Sequence, residues 1–285
     1  MTRTRPAVLL ATALVMAAFA ANSVLARLAL GLTPVDPATF TAVRLAAGAA
    51  ALSLVVRVQR RPGAGGWRSA AALFAYAAAF SLAYLSLSTG TGALVLFGAV
   101  QVTMVGAGLR AGERLGPQGW AGLALALGGL GVLVAPGVTA PPLVPALVIA
   151  AGGAAWGVYS LRGRAEADPV AATAGNFWRA SVLGLALAGV VAATAGLQLD
   201  PAGLGYAALS GAVTSGLGYV AWYAALPSLR AASAATVPLS VPVLAALGGV
   251  AFVGEPITVR LGVASVVTLG GIALVLRARS APPRR

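Results

Sequence analysis

The stretches "GLRAGERLGPQGWAGLALALGG" (108–129) and "FVGEPITVRLGVASVVTLGG" (252–271) decide how this chain is read. Gly112-Glu113 in the first recurs as Gly254-Glu255 in the second. Leu127-Gly128-Gly129 recurs as Leu269-Gly270-Gly271 at the same offset, which is close to half of the 285 residues. Each stretch sets an acid ahead of a nearly uninterrupted apolar run, in a chain with only six acidic residues. A costly residue placed twice at half-length spacing points to an internal duplication.

Composition sets the solvent. Hydrophobic residues make up 59%, charged residues 9%, and mean hydropathy is +0.92. A soluble domain carries roughly a quarter charged residues. Apolar runs of about 20 residues, long enough to cross a hydrocarbon core of roughly 30 Å, recur along the whole chain. The expected fold is an all-α polytopic membrane protein whose surrounding partner is the lipid bilayer. Its net charge of +13 comes from 19 basic residues, all Arg. Most sit in short loops or at span ends without a basic stripe or aromatic platform, so they report topology and not nucleic-acid binding. With no Cys, no disulfide, thiol nucleophile or thiolate metal site is available. With no His, the usual proton shuttle and the commonest metal ligand are missing as well. No cofactor and no metal are expected.

Pro and Gly clusters end helices for steric and hydrogen-bonding reasons. "GLTPVDP" (31–37), "RRPGAGG" (60–66), "APGVTAPP" (135–142), "ADP" (167–169) and "LDP" (199–201) divide the chain this way. Ten spans are predicted at 7–28, 38–56, 68–88, 91–109, 117–135, 142–162, 171–195, 202–226, 231–252 and 258–277. "STGTG" (88–92) is the least distinct division. Alternating sides puts fifteen arginines on one face, including Arg3, Arg5, Arg57, Arg60, Arg61, Arg110, Arg230, Arg284 and Arg285. The opposite face holds two, Arg27 and Arg260, and Arg44 and Arg179 fall inside spans. The bias predicts cytoplasmic N- and C-termini. "SVLA" (23–26) loosely resembles a leader cleavage site, but the first span has a partner in the second half and is read as retained.

Within the duplication, "FAANSVLAR" (19–27) aligns with "WGVYSLRGR" (156–164), pairing Phe19 with Trp156, Ser23 with Ser160 and Arg27 with Arg164. Arg44 pairs with Arg179 at a slightly different offset. Two five-helix halves follow, 1–139 and 140–285. An odd number of spans per half makes the second half enter from the opposite side, so the repeats are inverted. Glu113 and Glu255 then mark opposite surfaces. The layout, with "WG" early in the sixth helix and Glu-Pro ahead of a Gly-rich last helix, resembles the EamA-type transporters of the drug/metabolite transporter superfamily. The departures are Phe19, where Trp is common, and Arg114, which follows Glu113 in place of Pro. The resemblance implies a transporter, not an enzyme. Its substrates would be small metabolites, such as amino acids or drug-like compounds, exported or exchanged across a prokaryotic inner membrane by alternating access. The protein would act as a monomer or homodimer. The competing readings are an intramembrane lipid-modifying enzyme and a non-transporting scaffold.

Asp36, Glu113, Glu166, Asp168, Asp200 and Glu255 all fall at span ends or loops, which argues against a carboxylate proton site at membrane depth. Arg44 and Arg179, inside spans, are read either as a structural pair satisfying helix-end groups or as a site for a substrate carboxylate. Polar and aromatic residues within spans predict a substrate cavity. The candidates are Asn22, Ser23, Tyr84, Gln101, Trp156, Tyr159, Asn176, Tyr219, Trp222 and Tyr223, with Thr236 and Ser240 beside the ninth-span prolines. Pro238 and Pro242 are expected to kink that span and free the carbonyls of Ala234 and Pro238. Trp67 and Trp120 suit an interfacial belt. The glycines of 128–131 and 269–271 suit close helix packing. "GAGLRAG" (106–112) imitates a dinucleotide fingerprint, but no strand precedes it and the reading is rejected.

Overall fold

Residues 5–164, 166–229 and 236–280 are described by a computed structural model. Arg3, Arg230, Arg284 and Arg285 lie outside these residues, as do 231–235, where the ninth span was expected to start, and with them Ala234. All regular secondary structure among the described residues is helical: α1 (Arg5–Leu32), α2 (Pro37–Val58), α3 (Trp67–Ala83), α4 (Thr89–Arg110), α5 (Pro117–Val134), α6 (Leu143–Gly163) and α7 (Pro169–Thr194). α8 occupies 201–225 and contains a π-helical segment, Ser210–Leu217. α9 (Val237–Val253) opens as a 3-10 turn and closes as a π-helical segment, Gly249–Val253. α10 is Val259–Ser280. Seven of these (α1, α2, α4, α5, α6, α7 and α10) are long and apolar enough to cross a membrane.

Three helices begin with the same dipeptide, and the chemistry explains why. Asp36-Pro37, Asp168-Pro169 and Asp200-Pro201 put Asp at the N-cap and Pro in the first turn. The first turn has N–H groups without intrahelical acceptors, so Pro loses nothing there and Asp supplies the missing acceptor. Asp36 accepts from the N–H of Ala38 and Thr39, Asp168 from Ala171, and Asp200 from Gly203. α4 is started differently. Its break from α3 falls at 84–88, and "STGTG" largely opens α4 instead of dividing the two helices. Ser88 makes no side-chain cap, and Glu255 accepts from the Thr89 N–H at 2.8 Å in its place.

The repeated Gly-Glu doublets terminate helices. At the end of α4, Gly112 takes φ +91°, donating to Leu109 O while Glu113 N donates to Gly108 O. This is the paired closure of a Schellman motif, in which glycine tolerates the left-handed backbone. Gly254 takes φ +75° after α9, and Glu255 N closes back on Gly249 O. The prolines of α9 do not kink a continuous helix. Pro238 and Pro242 sit in the first turns of successive helical segments, where no N–H is required, and Val241 N donates to the Pro238 carbonyl.

Packing pairs the helices in a regular way. α2 lies against α7, α4 against α9 and α5 against α10. α3 packs on α6 and α7 as α8 packs on α1 and α2, and α6 contacts α4 as α1 contacts α9. The α5–α10 seam is closed by small residues: a Cβ on Gly122 would meet Gly271 O at 2.7 Å, and one on Gly271 would meet Gly122 O at 2.5 Å. Gly128, Gly131 and Gly270 face open space, so only part of each Gly cluster serves the seam. Gly122→Leu and Gly271→Leu are therefore expected to lower thermal stability in detergent, at the ~1–3 kcal/mol scale of overpacking. Gly128→Leu and Gly270→Leu should leave the unfolding temperature close to wild type, as measured by fluorescence-detected unfolding.

Candidate functional site

α1, α2, α3, α4, α6, α7 and α8 converge on a cavity with about 440 Å³ of empty space, including that open at its mouth. Its walls are mainly aromatic and aliphatic: Phe19, Leu73, Phe80, Leu96, Phe97 and Phe177. Polar atoms come from Asn22, Ser23, Arg44, Tyr76, Trp156, Thr214, Ser215 and Tyr219. An apolar space with a few convergent polar groups is the usual form of a small-molecule site.

Arg44, 2% exposed, holds the one formal charge among the described residues of this lining. Its Nη2 donates to the Tyr76 hydroxyl at 2.9 Å. Its guanidinium carbon lies 4.6 Å from the Phe80 ring centroid and 5.2 Å from that of Tyr76, so both ring quadrupoles stabilise the cation. Nη1 is buried and has no hydrogen-bond partner, and no carboxylate is within ion-pair distance among the described residues. Gly211, in the π-helical part of α8, allows that helix to approach the Arg44 backbone directly; a side chain there would collide with the Arg44 carbonyl. Arg179 is placed quite differently. Its Nη1 donates to Gly175 O at 3.0 Å and to Ala64 O at 3.5 Å, holding α7 to the α2–α3 loop.

Asn22 organises the polar wall. Ser210 Oγ and Thr214 Oγ1 donate to its Oδ1 at 2.6 and 3.1 Å, and its Nδ2 donates to Ser215 Oγ at 3.2 Å. π-helical segments inside α-helices often mark functional positions, and this one turns three small polar residues toward α1. Opposite, Trp156 Nε1 donates to the Tyr219 hydroxyl at 2.8 Å, and the indole stacks on Tyr76 with centroids 5.7 Å apart. Phe97 meets the same indole edge-on at 5.3 Å.

Five of the expected residues thus meet at one cavity: Asn22, Ser23, Arg44, Trp156 and Tyr219. Tyr159 and Tyr223 stand behind Tyr219, at ring distances of 6.4 and 6.0 Å, and Trp222 packs on Phe19. Tyr84 is fully buried beside the cavity, its hydroxyl on Thr89 O. Asn176 lies at the closure below it, accepting from the Gly66 N–H at 2.9 Å. Gln101 lies on a separate small recess between α4, α5 and α10. Ser240 is exposed and bonds Val237 O, so it is off the lining, as is Thr236. Pro238 and Pro242 are off it too, and Glu113 is exposed in the α4–α5 loop. Sequence reasoning missed Tyr76, Phe97, Thr214 and Ser215. Tyr76 inside "LFAYAAAF" (73–80) was a signal of the same kind as Tyr219, a polar tip within an apolar run.

Polar ties join the helices on both faces of the bundle. On the arginine-poor face, Arg27 Nε pairs with Glu255 at 3.0 Å while its Nη1 donates to the carbonyls of Tyr84 and Leu85. There too, Asp36 accepts from the Gln198 N–H at 3.0 Å. On the arginine-rich face, Arg61 pairs with Asp168 at 2.6 Å, and Arg162 donates to Ser69. Asp36 and Asp168, the caps of α2 and α7, therefore each also fasten a distant loop, Asp36 the α7–α8 loop and Asp168 the α2–α3 loop. Burial pushes the Asp168 carboxyl up, but the Ala171 N–H and the hydrogen bond and charge of Arg61 outweigh it and hold the group below its ordinary value. Burial also raises Asp36, and it is outweighed by hydrogen bonds from Thr39, Gln198 and Ala38.

A carboxyl held below its unfolded pKa contributes stability that is complete above about pH 4 and is lost as pH falls through the folded value. Asp168→Asn keeps a competent cap and removes the charge, so at neutral pH it should cost no more than about 1 kcal/mol. Asp168→Ala removes the cap as well and should cost about 1 kcal/mol more. Thermal unfolding of both variants across pH 3–7 should show a smaller acid-induced loss than wild type.

With this geometry in place, the chain can be set beside known proteins. The model of the EamA-like transporter family matches residues 143–277. The uncharacterized protein PA1977 of Pseudomonas aeruginosa is 56% identical over 274 residues, covering 95% of each chain. A protein of known crystal structure aligns over 93% of this chain and 97% of its own, with TM-score 0.65 and 22% identity, a likeness of fold alone. The helical membrane bundle, its central cavity and these matches converge: the chain belongs to the EamA-like transporter family.

Proposed function

We propose that the protein exports or exchanges small metabolites, such as amino acids or drug-like compounds, by alternating access between two inverted five-helix halves, 1–139 and 140–285. One observation carries the reading. A single cavity is lined by residues of both proposed halves, and ion pairs join those halves on both faces. The packing supports the duplication, since most of the major helix contacts map onto one another when each helix is exchanged for the one five places on. The matched family segment begins at α6, where the second half would begin. Alternating access then amounts to exchanging one set of ties for the other. The Arg27–Glu255 set would release toward one compartment and the Arg61–Asp168 set toward the other. The arginine-rich face is assigned to the cytoplasm.

Flux of labelled metabolites into proteoliposomes tests the transport reading. Trp156→Ala should lower flux about tenfold, the factor produced by about 1.4 kcal/mol of lost binding. Trp178→Ala, on an exposed indole, should not change it. No flux across a broad panel, with folded protein in the vesicles, would count against transport. Sidedness has its own test, because the chain has no cysteine. Single cysteines at Gly63 or Gly116, both facing open space, should react with an impermeant thiol reagent only from the cytoplasm. A cysteine at the exposed Leu199 should react only from outside.

A further inference from the structure

The charged side chains that the bundle engages have visible work. Arg27 serves Glu255 and two carbonyls, Arg179 serves Gly175 and Ala64, and Arg260 serves Leu133 and Ala135 at the end of α5. Asp36, Asp168 and Asp200 cap helices, and Glu255 takes the first N–H of α4. Arg44 is the exception. It is a residue of the cavity lining, and its hydrogen bond to Tyr76 and its two ring contacts leave Nη1 buried and unpartnered.

A cation removed from water without a counter-charge is costly, and an unpaired buried N–H adds to that cost. Aromatic faces offset part of it. Among the described residues no acid neutralises the rest, so we look for the missing partner outside the protein. The remaining lining narrows its form. Phe80 and Tyr76 pack on Arg44, and the lining adds the neutral polar groups Asn22, Ser23, Thr214 and Ser215. The lining contains no carboxylate that would hold an ammonium group.

We propose that Arg44 is the anchoring residue of a substrate site for small organic monoanions. The substrate's carboxylate is held by Nη1 and its apolar body lies among Phe80, Phe97, Trp156 and Tyr219. This rests on the transport reading above and narrows it, because cationic compounds are excluded.

Three probes of nearly one shape test it: 3-phenylpropanoate, its amide 3-phenylpropanamide, and the cation 3-phenylpropylammonium. Each is titrated into the purified full-length protein in detergent, with binding read by calorimetry. The carboxylate should bind at least about tenfold more tightly than the amide, as expected for a charge-assisted hydrogen bond, with no measurable binding of the cation. Arg44→Gln should abolish the preference for carboxylate over amide, and Arg44→Lys should keep part of it. Equal binding of carboxylate and amide, absence of carboxylate binding, or a preference that survives in Arg44→Gln overturns the proposal. The wild-type comparison decides the matter even if the variants fold poorly. Flux separates the two readings. Carboxylate binding without flux in proteoliposomes would remove transport and leave the anion site standing. Flux without carboxylate preference would remove the anion site and leave transport standing.

Discussion

Inside a bilayer no water is available to hydrogen-bond a free backbone N–H or C=O, so every break in a helix must be satisfied by the protein itself. That constraint governs how this chain uses its few charged residues. Asp36, Asp168 and Asp200 take the free N–H groups at the starts of α2, α7 and α8. Glu255 does the same for α4 across the bundle. Arg27 covers carbonyls after α3, Arg179 covers carbonyls of α7 and the α2–α3 loop, and Arg260 covers the end of α5. The two arginines on the sparsely charged face, Arg27 and Arg260, are both engaged within the protein, which is why they stand apart from the topological bias.

The cavity follows from the same economy of polar groups. Helices meeting at the centre need close approach, which Gly48, Gly211 and Gly184 allow along α2. They also need buried polar atoms to find one another, as Asn22 does with Ser210, Thr214 and Ser215. Fully satisfied, such a network rigidifies one wall. The opposite wall is held by aromatic contacts and one indole–phenol hydrogen bond. Between them Arg44 keeps a free donor. Arg179, the other arginine expected inside a span, instead donates to the carbonyls of Gly175 and Ala64, so the two residues play different parts.

Much of this was legible in the chain. Helix bounds followed from Pro and Gly, because the physics of helix ends is local: "VDP", "ADP" and "LDP" each announce a start. The α3–α4 break was misplaced because its cap, Glu255, is far away in sequence. The prolines of α9 were read as kinks because the change of segment that puts Pro238 in a 3-10 turn and Pro242 in the first turn of the next helix is not visible in a pattern of apolar residues. Asn22, Ser23, Trp156 and Tyr219 could be picked out as polar tips inside apolar runs. Tyr223 and Asn176 satisfy that description equally, and only three-dimensional packing separates the lining from the shell behind it. The different fates of Arg44 and Arg179 were illegible for the same reason: both sit in spans, but only Arg179 reaches a loop carbonyl.

The uncompensated guanidinium has an electrical side. One elementary charge crossing the membrane potential is worth about 2.3 kcal/mol per 100 mV. In the proposed cycle, an empty carrier reorienting around Arg44 presents a bare positive charge to that field. A carrier loaded with a monoanion presents almost none. The voltage would therefore act on the return step and leave the loaded step nearly indifferent. A single buried side chain would thus make the resting potential of the cell a regulator of turnover.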